Sequence, residues 1–147
     1  MIFIGIDPDV DKSGFALWRS DEREFSFVVC QRFFTILEKI KYLVETERDE
    51  VVVCVEAGWL INKSNWHGSK NEAISARIGK NIGSNHQVGK LFVEFCEINN
   101  IKYIEVKPMG KMNAHNFSAI TGWEARTNSE MRDAAMLVFG RNEVRTL

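Results

Sequence analysis

The chain has 147 residues, of which 45% are hydrophobic, 27% charged and 11% aromatic, with 2 prolines and 10 glycines. That length and balance describe one ordinary folded domain and exclude disordered, collagenous and low-complexity chains. The net charge of -1 argues at first sight against a polyanionic partner, yet residues 57–90 hold five bases against one acid, so a basic segment is embedded in a neutral protein.

The apolar opening Met1 to Ile6 is broken by Asp7 and carries no basic leader, which reads as neither a signal peptide nor a membrane span. The expected location is the cytoplasm of a prokaryotic cell or of a phage-infected host. Cys30, Cys54 and Cys96 are odd in number, widely spaced and set in apolar sequence. They read as reduced core residues, not as a disulfide framework or zinc ligands.

Ile2 to Ile6 is a continuous apolar run closed by Asp7 and Pro8, the pattern of a buried strand with an acid at its tip. A turn over 9–14 leads into strand-like runs Phe15 to Arg19 and Phe25 to Cys30, so the first thirty residues predict an antiparallel meander. From Phe33 to about Arg48 the apolar positions Phe33, Ile36, Leu37, Ile40, Leu43 and Val44 mark one helical face. Val51 to Val55 is a solid β-branched run, as expected of an interior strand covered on both faces. Residues 57–70, with two Trp, a His, Gly, Asn and Ser, predict a loop that orders on binding. A long helical stretch follows from about Asn71 to Ile98, interrupted at Gly79, Gly83 and Gly89. Ile101 to Val106 is a fifth strand, Lys111 to Ile120 a weakly amphipathic helix, and Ser129 to Phe139 a stronger helix opened by Thr127 and Asn128. The order βββαβαβαα predicts an α/β fold: a mixed five-stranded sheet with an antiparallel hairpin at one edge and helices on both faces.

Two acids stand where burial is costly. Asp7 and Glu56 each end a buried strand, and in open α/β sheets ligands bind at the carboxyl ends of the strands. Glu130 and Asp133, three apart, share one face of the last helix. Four converging carboxylates would repel one another unless cations neutralised them, and oxygen-only ligands suit Mg²⁺ or Mn²⁺. A pair of such ions about 3.5–4 Å apart stabilises both the attacking and the leaving oxygen in phosphodiester hydrolysis.

Ile4-Gly5-Ile6-Asp7-Pro8, then Ser13-Gly14-Phe15-Ala16, Val53-Cys54-Val55-Glu56 and Glu130-Met131-Arg132-Asp133-Ala134-Ala135 resemble the RuvC family of Holliday-junction resolvases, within the RNase H-like superfamily. The resemblance spans nearly the whole chain. It implies a single RNase H-like nuclease domain in which Asp7, Glu56, Glu130 and Asp133 hold two Mg²⁺ ions, with Mn²⁺ as a substitute. It implies Trp59, three residues beyond Glu56, as the aromatic at the DNA crossover, and Lys111, with Lys107 in reserve, as the basic residue after the fifth strand. It further implies a homodimer packed through the long central helix that cuts a four-way junction symmetrically, leaving 5′-phosphates and 3′-hydroxyls. Two positions depart from the family pattern: Asp9 stands where Gly is usual after Asp-Pro, and Glu130 where Asp is more common.

Simpler roles compete at several positions. Asp7 fits a turn cap before Pro8, and Thr127-Asn128-Ser129-Glu130 fits a capping box that would keep Glu130 from a metal. Arg132 fits a pair with an acid on a solvated face. Trp59 and Trp66 suit either lids over the core or stacking on unpaired bases, flanked by Lys63 and Lys70. With Arg77, Lys80 and Lys90 these lysines outline a DNA-contacting surface adjoining the acids. Gly79 and Gly83 have the spacing of a close helix–helix approach. Three other functions fit the same pattern in part. One is a nuclease for RNA/DNA hybrids or structured RNA, and another is a branched-DNA binder that does not cut. The third, an actin-like ATPase, needs more than twice this length.

Overall fold

The computed structural model describes residues 1–61 and 72–144, with the backbone alone for 72–75. Its five strands are β1 (Ile2–Asp7), β2 (Ser13–Arg19), β3 (Glu24–Gln31), β4 (Val51–Glu56) and β5 (Lys102–Val106). They form one sheet in the order β3-β2-β1-β4-β5. The β1–β2 and β2–β3 pairs are antiparallel, and β1–β4 and β4–β5 are parallel, so the mixed sheet with an antiparallel edge is as expected. Four helices complete it: α1 (Phe33–Thr46), α2 (Glu72–Ile98), α3 (Ala114–Thr121) and α4 (Ser129–Met136).

The two central strands are buried on both faces, which is why their sequences read as unbroken apolar runs. Period-2 alternation divides their side chains between two layers. Ile2, Ile4 and Ile6 with Val51, Val53 and Val55 face Ile36, Ile40 and Leu43 of α1 and Phe92, Val93 and Cys96 of α2. Phe3, Val52 and Cys54 face the other way, against Phe117 of α3 and Ala134, Ala135 and Val138 in and after α4. Asp7 and Glu56 continue the parity of Phe3 and Cys54 and therefore belong to the α4 layer.

Helix α4 lies directly on strand backbone. A Cβ on Gly5 would stand 2.1 Å from the Ala134 carbonyl oxygen, and one on Gly14 would stand 2.0 Å from that of Glu130. Only glycine permits this approach. The helix starts where Asn128 accepts a hydrogen bond from the Met131 amide at 2.9 Å. Beyond its end, an aromatic cluster fixes it to the hairpin: Phe139 meets Trp18 edge-on at 5.2 Å, and Trp18 meets Phe25 in the same way at 5.0 Å.

Three helices differ from the sequence reading. Helix α2 runs unbroken through Gly79, Gly83 and Gly89, because the packing of its far half outweighs the helix propensity lost at three glycines. Helix α3 begins at Ala114, capped by Asn113, whose side chain accepts from the Asn116 amide at 2.8 Å; this leaves Lys111 on the preceding loop. Helix α4 stops at Met136, three residues before Phe139. All three cysteines are free, with Cys54 and Cys96 buried and Cys30 half-buried.

Candidate metal and nucleic-acid site

The register Ile6↔Val55 between parallel β1 and β4, carried one step on, sets Asp7 beside Glu56 at the carboxyl ends of both strands. Asp133 reaches them from α4. One carboxylate oxygen from each of Asp7, Glu56 and Asp133 lies within 4.8 Å of the others. Burial, a hydrogen bond with Glu56 and the charges of Glu56 and Asp133 push the Asp7 carboxyl up to about 9, far from its ordinary 3.8. Lys111 is the compensating charge. Its Nζ meets Asp133 Oδ2 at 2.5 Å, and that bond holds its own pKa above the usual lysine value.

Those features fit a divalent cation. Three half-buried carboxylates supply oxygen donors without His or Cys, the set preferred by Mg²⁺ and Mn²⁺. One ammonium against three acids leaves negative charge that a cation would neutralise, with release of the Asp7 proton.

Glu130 stands apart from this group. Asn128, not Thr127, is the cap, so Glu130 is the second residue of α4 and the capping box does not form. The helix crosses the sheet with Glu130 over Gly14 of β2 and Ala134 over Gly5 of β1, which places Glu130 one strand farther from Glu56 than Asp133. Its carboxylate accepts from the Ser129 hydroxyl at 3.4 Å. It also acts on Cys30 of β3, whose thiol is pushed up by burial first and by the Glu130 charge among others.

Asp9 is also turned from the site. Its Oδ2 accepts the Asp11 amide at 2.9 Å, while its own amide donates to Ser13 Oγ at 3.0 Å, so it closes the β1–β2 turn in place of glycine. Arg132 does not pair with an acid on a solvated face as expected; it bonds to backbone, at Met112 and Thr127.

Asp7 and Glu56 open on a cavity of about 260 Å³ lined also by Pro8, Trp59 and Lys111, with Ile82, Asn85 and His86 on its α2 side. Trp59 sits in a single 3₁₀ turn, Gly58–Leu60, directly after β4. Helix α2 closes against that turn. A Cβ on Gly89 would stand 2.6 Å from the Trp59 ring, and His86 lies edge-on to the same ring at 6.1 Å. Lys90 places its ammonium 5.9 Å from the Trp59 centroid. Asn85 accepts the Val10 amide at 3.1 Å and thereby ties α2 to the turn after Asp7.

Asn85 and His86 were missed by the sequence reading. The signal is Gly89, three residues beyond His86, which reads in the sequence as an interruption and in the structure marks close approach to Trp59. Arg77 and Lys80 are exposed on the first half of α2, and Lys90 is exposed on its second half. Lys63, Trp66 and Lys70 lie outside the described residues, and Lys107 is exposed beyond β5.

No helix among the described residues is long and apolar enough to cross a membrane. No family model and no curated protein sequence matches the chain. Among solved structures it is similar to T. thermophilus RuvC in complex with a Holliday junction substrate, with 14% identity and a TM-score of 0.54 over 95% of this chain and 92% of that one. The mixed sheet and its flanking helices are thus those of the RNase H-like fold.

Proposed function

We propose that the protein is a divalent-metal-dependent endonuclease acting on branched DNA, with a four-way junction as its substrate. The observation that carries this reading is the meeting of Asp7, Glu56 and Asp133 at the strand ends, beside Lys111 and an aromatic-walled cavity. The likeness to a protein solved with a Holliday junction, over nearly all of both chains, supports the choice of substrate.

In this scheme Asp7, Glu56 and Asp133 would hold the cations, and Glu130 would act from outside the carboxylate group by orienting water. Two bound Mg²⁺ ions, or Mn²⁺ in their place, would stabilise the attacking and leaving oxygens of phosphodiester hydrolysis. Water adds its oxygen to phosphorus, the 3′-oxygen leaves and takes a proton, and the products are a 5′-phosphate and a 3′-hydroxyl. Lys111 supplies positive charge beside Asp133, where the non-bridging phosphate oxygens gain negative charge. Trp59 offers a half-buried ring for stacking on a base freed at the crossover. Arg77, Lys80 and Lys90, exposed on α2, extend the phosphate-contacting surface, and the sequence assigns DNA binding also to Lys63 and Lys70, with Trp66 as a second base-stacking ring.

Cutting two strands symmetrically takes two such sites, and we assign them to a homodimer. Helix α2 supports that assignment, because Gly79 and Gly83, one turn apart on its exposed first half, leave the backbone open to a second copy.

The test is an end-labelled substrate panel of four-way junction, linear duplex and RNA/DNA hybrid, each with Mg²⁺, Mn²⁺ or EDTA. Paired nicks in the junction alone, lost with EDTA, are expected. Cutting of the hybrid would keep the metal site and move the activity to RNA, since carboxylates at a phosphate do not read the sugar; metal-independent cutting would overturn the scheme.

A further inference from the structure

Arg132 spends its guanidinium on two loops. Nε donates to the Met112 carbonyl at 2.8 Å, and Nη1 donates to the Thr127 carbonyl and hydroxyl, each at 3.1 Å. Its chain neighbour Asp133 binds Lys111, and Lys111 is the chain neighbour of Met112. Two consecutive residues of α4 therefore grip two consecutive residues of the loop between β5 and α3.

Lys111 needs that grip. Its side chain is 76% exposed and rises from a segment with neither helix nor strand, so its own packing does not fix it. A single exposed ion pair holds a four-carbon stem weakly. We propose that Arg132 is a positioning residue: by holding the Met112 carbonyl it fixes the loop backbone that presents the Lys111 ammonium to the carboxylates. Arg132 sets the cleavage rate through Lys111 without touching substrate. A planar guanidinium reaches both Met112 and Thr127, whereas a lysine ammonium is a single point that cannot span the two loops. The proposal deepens the nuclease reading of the site and rests on it.

The test is a double-mutant cycle on single-turnover junction cleavage with Arg132→Met, Lys111→Met and the pair. Arg132→Met should slow cleavage by about tenfold to a hundredfold, the range of a misplaced catalytic group, with junction affinity unchanged. It should cost nothing further in the Lys111→Met background. Losses that multiply in the double variant, or a wild-type rate in Arg132→Met, would overturn the proposal. Arg132→Lys, which keeps the charge and one donor, should fall between, and it carries the same cycle if Arg132→Met does not fold. If the wild-type protein cuts no junction, the nuclease reading fails separately. The grip is then read from amide hydrogen exchange: faster exchange at residues 111–113 in Arg132→Met, with β1 and β4 unchanged, supports it, and unchanged exchange at 111–113 overturns it.

Discussion

Gly5 of β1 and Ala134 of α4 approach so closely that a Cβ on Gly5 would lie 2.1 Å from the Ala134 carbonyl oxygen. Each is the near neighbour of a site acid: Asp7 is two residues along β1, and Asp133 immediately precedes Ala134. The bare backbone at Gly5 is therefore what lets α4 bring its carboxylate to the strand ends.

Gly5→Ala should push α4 from the sheet. Because the clash is with backbone, the loss of stability should sit at the upper end of the about 1–3 kcal/mol typical of overpacking, and divalent-ion affinity should fall with it. Urea unfolding and calorimetric titration with Mn²⁺ check both.

The raised Asp7 pKa gives the metal-free protein a definite pH dependence. Between the ordinary 3.8 and about 9 the folded state binds a proton that the unfolded chain has released, so stability is greatest below that window and falls as pH rises through it. Asp7→Asn should flatten the slope. Chemical denaturation in EDTA at pH 5 and pH 8.5 measures it; greater stability of the wild type at pH 8.5 would contradict the burial of that carboxyl among like charges.

Lys111 and a divalent cation compete for Asp133. Lys111→Met should therefore tighten Mn²⁺ binding while slowing cleavage by about 10²–10³, the usual loss on removing one preorganised donor at a developing charge. Equal losses in metal affinity and rate would place Lys111 elsewhere in the scheme.

Glu130→Gln and Asp133→Asn separate the two acids of α4. Only Asp133 joins Asp7 and Glu56, so Asp133→Asn should abolish divalent binding in titration calorimetry and Glu130→Gln should leave most of it. The reverse order would return Glu130 to the metal.

Trp59→Ala should weaken junction binding by about 1–3 kcal/mol, the worth of one stacked base. Trp59→Phe should restore most of it, and the thermal midpoints of both variants separate stacking from the ring's packing on Gly89.

Much of this was legible from residues alone because the central strands are doubly buried. The unbroken runs Ile2 to Ile6 and Val51 to Val55 announced interior parallel strands, and an acid at the end of each then stood out as unexplained by burial. What pattern could not supply was the crossing direction of α4. Glu130 and Asp133 share a helical face by spacing, but only the contacts of Gly14 and Gly5 show that the helix carries Glu130 over β2 and Asp133 to β1. Asp9 stands out in the sequence only as a departure from glycine; its turn hydrogen bonds are local chemistry that its identity permits but does not demand. Lys111 reads from sequence as the start of a helix, yet it lies on the loop before α3, because the cap at Asn113 is weaker as a signal than the apolar spacing around it.

The most direct measurement is single-turnover cleavage of a labelled four-way junction by wild type and Asp7→Asn in Mg²⁺, with junction affinity determined on the same samples in EDTA. The account predicts paired nicks by the wild type, none by Asp7→Asn, and equal junction binding by the two in EDTA, where the Asp7 carboxyl already carries a proton. Cleavage that survives Asp7→Asn, or binding lost together with cleavage in a folded variant, would contradict it.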